Sequence, residues 1–385
     1  MRHAKITVTV VFTAHAVMAA SWVAYIPQVK AQLGLSNADL GTALFGAPLG
    51  SVAAMIFCHW ALPRWGSRRL VPVTLVGYAV ATTTIGVASC ELSLFLTLAV
   101  WGVFQGALDV AMNTQAATVE RLARAPIMAR FHGMWSVGAL LGASTGAAAV
   151  TAGVGLSPLL TVVGIVVLVV AGPFTRYLVA EQADAGDSRA RSRRRSGLTA
   201  TVGVLAAVSF ASFLTEGAAS DWSTTYSRNV VGASPGVAAL SYAAYTLLMV
   251  VTRLGATRLQ ARFSARRLLP VLALFAAITM SVTLVVASPV VSVIGFACLG
   301  AGVALLVPTA FSAAYSAGNA GSAIAIVAAG GWLGYLLGPP LIGHLADRIG
   351  LPGALVTIPV MVSVAAIAIR CTSAFQAADD FHRAP

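Results

Sequence analysis

The chain contains 79 consecutive residues, Leu268 to Ala346, without one Asp, Glu, Lys or Arg. A water-facing surface cannot be built from such a stretch. An apolar run of about 18 or more residues reads instead as a membrane-crossing helix. Shorter charge-free runs cover Ile6–Val29, Leu40–Pro63, Leu70–Cys90, Leu92–Leu108, Phe131–Thr175, Ser196–Thr215, Asn229–Thr252 and Ile349–Ile369. Turn residues at Gly153–Pro158 split Phe131–Thr175 in two, and Ser288-Pro289 with Ser316–Ser322 splits the longest run in three. The fold class expected is an all-α polytopic membrane protein of twelve transmembrane helices. Barrel strands are excluded, because they cross in about 10 residues.

Only 9% of the residues are charged, against roughly 25% in an average soluble domain, which excludes a soluble enzyme. The net charge of +12 follows membrane topology rather than a nucleic-acid footprint. With the N-terminus in the cytoplasm, 21 of the 24 Lys and Arg residues fall inside, and only Lys30, Arg228 and Arg348 lie outside. Both termini are therefore expected in the cytoplasm of a multi-pass inner (plasma) membrane protein. The lipid bilayer is one expected partner, and no nucleic acid is expected. The first apolar run exceeds the core of a cleaved signal peptide, about 7–15 residues, and reads as a permanent span. Cys58, Cys90, Cys298 and Cys371 show neither metal-type nor redox-type spacing, so no metal or cofactor is expected.

The longest hydrophilic stretch, Glu181–Arg195, reads as a flexible linker. It divides the chain into an N-terminal six-helix bundle (1–178), a cytoplasmic linker (179–197), a C-terminal six-helix bundle (198–373) and a cytoplasmic tail (374–385). The halves repeat one another. Arg64-Trp-Gly-Ser-Arg-Arg-Leu-Val-Pro-Val73 matches Arg262-Phe-Ser-Ala-Arg-Arg-Leu-Leu-Pro-Val271 at an offset of 198 residues. Trp135 with Gly138 and Gly142 parallels Trp332 with Gly334 and Gly338. Parallel halves of this kind are two pseudo-symmetric six-helix units.

On these motifs the whole chain resembles the major facilitator superfamily, with Arg64-x-Gly66-x-Arg68-Arg69 similar to its cytoplasmic loop signature. Pro63 stands where that signature carries an acid. A narrower resemblance, to the MosC-type (rhizopine-transporter-like) branch, rests on Asp109-Val-Ala-Met-Asn113, on Phe131-His-Gly-Met-Trp-Ser136 and on Asp221-Trp222-Ser223. The resemblance implies that spans one, four, seven and ten line a central cavity.

Residue spacing agrees for three of these spans. Trp101, Gln105, Asp109 and Asn113 recur every four residues on span four. His15, Met18, Trp22 and Tyr25 share a face of span one, and Ser209, Ser212, Glu216 and Ser220 a face of span seven. A carboxylate inside a span costs roughly 2.5–3.5 kcal/mol on insertion scales and is a functional-site hypothesis by default. Asp109, His15 and Glu216 are the proton-coupling candidates. Asp109 and His15 are expected at similar depth, where the two could meet, and Glu216 near the external surface. The alternative for Asp109 and His15 is interhelical hydrogen bonding. Trp22, Tyr25, Trp101, Gln105, Asn113 and Ser212 are the substrate-binding candidates. Glu120, Arg121, Arg130 and His132 are candidates for a cytoplasmic gate, the alternative being a charged loop that serves topology.

The reading is a proton-coupled secondary transporter, a monomer working by alternating access, with a small polyol or sugar-like solute. Proton-driven multidrug efflux is the second reading. The glycines Gly138, Gly142 and Gly146 of span five lack the proline of drug antiporters, and close helix packing explains their spacing. A non-transporting ligand sensor ranks below that. A nucleotide-driven pump lacks its phosphate loop, since neither Lys5 nor Lys30 follows a glycine. No catalytic residues are expected.

Overall fold

The computed structural model describes residues 1–123, 127–180, 200–316 and 320–376. The expected linker and tail lie almost wholly outside the described residues. Among the described residues every regular element is helical, as a bilayer requires of a backbone that must satisfy its own hydrogen bonds.

Spans one to six are Arg2–Leu33, Asn37–Trp65, Ser67–Val87, Glu91–Ala123, Arg130–Thr151 and Leu156–Tyr177. Spans seven to eleven are Ala200–Asn229, Pro235–Leu254, Ala265–Val286, Pro289–Ala314 and Ala323–Leu355. The helix containing span eleven breaks at Gly350, whose φ of 78° lies outside the helical region. The last crossing therefore starts at that glycine and runs on through Thr357–Cys371, which completes twelve. Spans four and seven are longer than their charge-free runs. Asp109, Glu216 and Asp221 interrupt the runs but not the helices, because a lone side chain leaves the backbone hydrogen bonds intact.

Turn chemistry sets the ends. Gly34 takes a left-handed conformation after span one, and Ser36 and Asp39 cap the start of span two reciprocally. Span one carries a short 3-10 turn, Val23–Tyr25, just before Pro27.

The chain forms two compact units, Met1–Ala183 with Ser234–Ala243, and Asp184–Ala233 with Ala244–Pro385. In the first, a Cβ at Gly138, Gly142 or Gly146 would strike the carbonyl of Thr13, Val17 or Ser21, so span five lies directly on the backbone of span one. In the second, Gly330 and Gly334 of span eleven lie against the carbonyls of Ala206 and Phe210 in span seven. Likewise Gly102 meets the carbonyl of Ala47, and Gly300 that of Tyr245, each residue 198 positions on. The internal repeat is thus a repeat of helix contacts.

Candidate functional site

In the first unit, span four is one 33-residue helix without proline, so its four-residue spacing holds Trp101, Gln105, Asp109 and Asn113 in one row. Trp101 is buried; its Nε1 donates to Thr82 Oγ1 at 3.1 Å, and its ring meets Trp22 edge-on at 6.4 Å and Tyr78 at 5.4 Å. One turn on, the side-chain Oε1 of Gln105 accepts from Ser51 at 2.8 Å. Its Nε2 has no protein partner among the described residues. A further turn on, Asn113 Nδ2 donates to the backbone oxygen of Asp109 at 2.8 Å and to its Oδ1 at 3.3 Å. That leaves the second carboxylate oxygen of Asp109 and the Oδ1 of Asn113 without protein partners among the described residues. Gln105, Asp109 and Asn113 are all half-buried. The row therefore offers one amide donor and two kinds of oxygen acceptor at successive turns.

His15 lies about 20 Å from the Arg2 end of span one, and Asp109 about 20 Å from the Ala123 end of span four. They are not bonded to each other. Trp135 Nε1 donates to His15 Nδ1 at 3.0 Å, and His15 Nε2 faces the Gln105 carbonyl at 3.3 Å. The imidazole, 1% exposed, thereby joins spans one, four and five and orients the Gln105 turn.

Tyr25 is fully buried, and its hydroxyl donates to the Val154 carbonyl at 2.7 Å, so its polar end is used in tying span one to the loop after span five. Trp22 is buried on the same stretch. Of the residues named for a gate, Glu120 and Arg121 lie in the last turn of span four, and Arg130 and His132 in the first turns of the helix carrying span five. Glu120 accepts from the backbone amides of Ile127 and Met128, at the start of the helix carrying span five. There a carboxylate answers the positive helix end. Arg130 is exposed, and His132 sets its ring edge against Phe12.

In the second unit, Glu216 is not near the surface. Span seven continues to Asn229, about 20 Å further on, which puts Glu216 at mid-helix. Its carboxylate pairs with Arg253 at 3.8 Å, both side chains being a little over one quarter exposed. Arg253 Nε also donates to the carbonyl of Ala304 at 3.3 Å. Ala304 is where span ten is interrupted between its two helical pieces, Pro289–Val303 and Leu306–Ser316. A broken helix of this type frees a carbonyl at membrane depth only where another group satisfies it. Gln260 Nε2 holds the second piece through Thr309 Oγ1 at 3.1 Å. Ser212 is buried on span seven.

Sequence reasoning missed Arg253, which the end of the apolar run at Thr252 assigned to a loop. The signal available was an Arg beside a span whose neighbour carries an unpaired Glu. It also missed Trp222, Ser223, Thr224 and Thr225 as a polar group. Their indole nitrogen and hydroxyls are buried without partners among the described residues. Among those residues, no three His, Cys, Asp or Glu side chains are grouped to hold a metal.

Comparison with known proteins agrees with this architecture. The family model of the Major Facilitator Superfamily matches residues 7–320. The chain is 30% identical to membrane protein MosC of Rhizobium meliloti over 96% of its own length and 90% of that protein. It is 29% identical to an uncharacterized MFS-type transporter of Yersinia pestis, covering 92% of each. Among solved structures, it is similar to the nucleoside transporter NupG in a D323A mutant (TM-score 0.75, 11% identity, 96% of this chain and 99% of that one). It is also similar to a D-xylose-proton symporter (TM-score 0.72, 16% identity, 94% and 97%).

Proposed function

The chain belongs to the Major Facilitator Superfamily, and from that premise we propose that it is a proton-coupled secondary transporter for a small polyhydroxylated solute. The observation that carries this reading is the row on span four. Gln105 Nε2, the open oxygen of Asp109 and Asn113 Oδ1 are polar atoms without protein partners among the described residues, at successive turns of one helix. An amide donor and acceptors at one-turn intervals suit a ligand bearing several hydroxyls. The buried Trp22–Trp101 pair gives an adjacent apolar wall for a sugar-like ring. The nucleoside and D-xylose carriers of similar fold support a hydrophilic solute, and the second of them supports proton coupling.

In this reading Asp109 takes up and releases the proton, Gln105 and Asn113 hold the solute, and His15 keeps the Gln105 turn in place. Glu216 is the second coupling candidate, gated by its pairing with Arg253. The protein works as a monomer in the inner membrane with both termini cytoplasmic, by alternating access of its two six-helix bundles. The close span-one contact of Gly138, Gly142 and Gly146 accounts for their spacing, so no observation favours drug efflux.

The test is transport in proteoliposomes with a panel of polyols and sugars. Asp109→Asn should abolish accumulation driven by a pH gradient yet keep counterflow, because the amide still hydrogen-bonds but carries no exchangeable charge. Full pH-driven accumulation by this variant would overturn the coupling assignment. Binding without counterflow in the wild type would overturn transport itself.

A further inference from the structure

The first turns of span nine and the last turn of span twelve border an open groove of about 520 Å³. That is within the range of small-ligand sites, roughly 300–1,000 Å³. Its lining changes character along its length. Arg266, Arg267 and Arg370 stand at the helix ends, while Val271, Leu274 and Ile367 form the wall toward the middle of the spans. Among the described residues no acidic side chain lines it.

The arginines are under-used. Arg266 donates from Nη2 to the Arg370 carbonyl at 3.3 Å, but its Nε is buried without a hydrogen-bond partner among the described residues. Arg266 and Arg267 also occupy the first turn of their helix, Ala265–Val286, with no acid there. The helix N-terminus is itself positive, so two cations in that turn repel it unless an anion is present. The wall residues are exposed, Val271 to 65% and Ile367 to 60%, on the lipid-facing side of helices that cross a bilayer. The place thus combines guanidinium groups at headgroup level with an apolar track running into the hydrocarbon.

We propose that this groove binds an anionic phospholipid, its phosphodiester held by Arg266, Arg267 and Arg370 and one acyl chain lying on Val271, Leu274 and Ile367. Guanidinium forks match phosphate oxygens with two parallel hydrogen bonds, and basic pockets between membrane helices suit anionic headgroups. The site is independent of the solute and coupling assignments.

Cys371 lines the same groove and is exposed, as is Cys90 far away in sequence, so the two thiols give a local readout with an internal comparison. Purified full-length protein in mild detergent is titrated with phosphatidylglycerol, cardiolipin, phosphatidylcholine or inorganic phosphate. Melting temperature and the alkylation rate of each cysteine are followed. The anionic lipids should raise the melting temperature and slow alkylation of Cys371 severalfold, leaving Cys90 unchanged. Phosphatidylcholine and phosphate should do neither. The double variant Arg266→Gln/Arg370→Gln should lose both responses. Arg64→Gln should keep them, since Arg64 is engaged with Trp60 elsewhere.

Equal protection by phosphatidylcholine would overturn the headgroup assignment, and protection by phosphate alone would make this a free-anion site. Absence of any anionic-lipid effect would overturn the proposal, as would an unchanged response in the folded double variant. A response that appears only after Asp379 and Asp380 are changed to Asn would make the chain's own tail the occupant. The lipid-against-phosphate comparison needs only the wild type, so a variant that fails to fold leaves the proposal open to refutation.

Discussion

The indole nitrogen of Trp135 and the imidazole of His15, 3.0 Å apart, determine where the histidine keeps its proton. An indole N–H can only donate, so Nδ1 is the acceptor and Nε2 carries the hydrogen toward the Gln105 carbonyl. Trp135→Phe would leave a buried acceptor without its donor. The expected cost is about 1–3 kcal/mol, read as a lower melting temperature of the purified variant. An unchanged melt would mean that the indole contributes only packing.

Glu216 and Arg253 should behave as a coupled pair. Removing one partner strands the other charge at membrane depth, so Glu216→Gln and Arg253→Gln should each destabilise by about 1–3 kcal/mol, less than for a fully buried pair. The double variant should cost less than the two singles together. A double-mutant cycle measures this, and strictly additive effects would show that the ion pair does not couple spans seven and eight.

The glycine contacts separate helix packing from helix propensity. Gly138→Ala and its repeat-related partner Gly334→Ala must push a methyl into the carbonyls of Thr13 and Phe210. Overpacking of this kind costs typically about 1–3 kcal/mol. Gly133 lies in a helix with open space around it, and there Ala should stabilise by about 1 kcal/mol or less. Melts of the three variants in one detergent decide the matter, and equal effects at all three positions would refute the contact argument.

Cys90 tests the orientation. It lies between spans three and four, exposed, and hydrogen bonding with Ser93 lowers its pKa from the ordinary thiol value. Because the thiolate is the reactive form, its alkylation should set in at lower pH than that of a simple thiol. In intact cells a membrane-impermeant maleimide should label Cys90 and spare Cys371 until the membrane is broken. The reverse pattern would invert the topology.

Much of the fold was legible because its causes are local. An uncharged run of adequate length must cross the bilayer as a helix, and Gly138, Gly142 and Gly146 at four-residue spacing make one face smooth enough for a neighbour. Span ends were less legible. Asp109 and Glu216 ended the apolar runs although a helix pays no backbone penalty for carrying them. The row Gln105–Asp109–Asn113 followed from helical periodicity alone.

Composition and periodicity thus determined the class, the number of spans, the repeat and the polar face of span four. Only the tertiary structure decided that His15 meets Trp135 rather than Asp109, that Tyr25 is bonded to a loop carbonyl, and that Arg253 reaches Glu216 and the break at Ala304. The physical reason is that periodicity sets which residues share a face. Which atom on that face finds a partner depends on the rotation and close approach of a different helix, and that is decided by side chains far away in the chain.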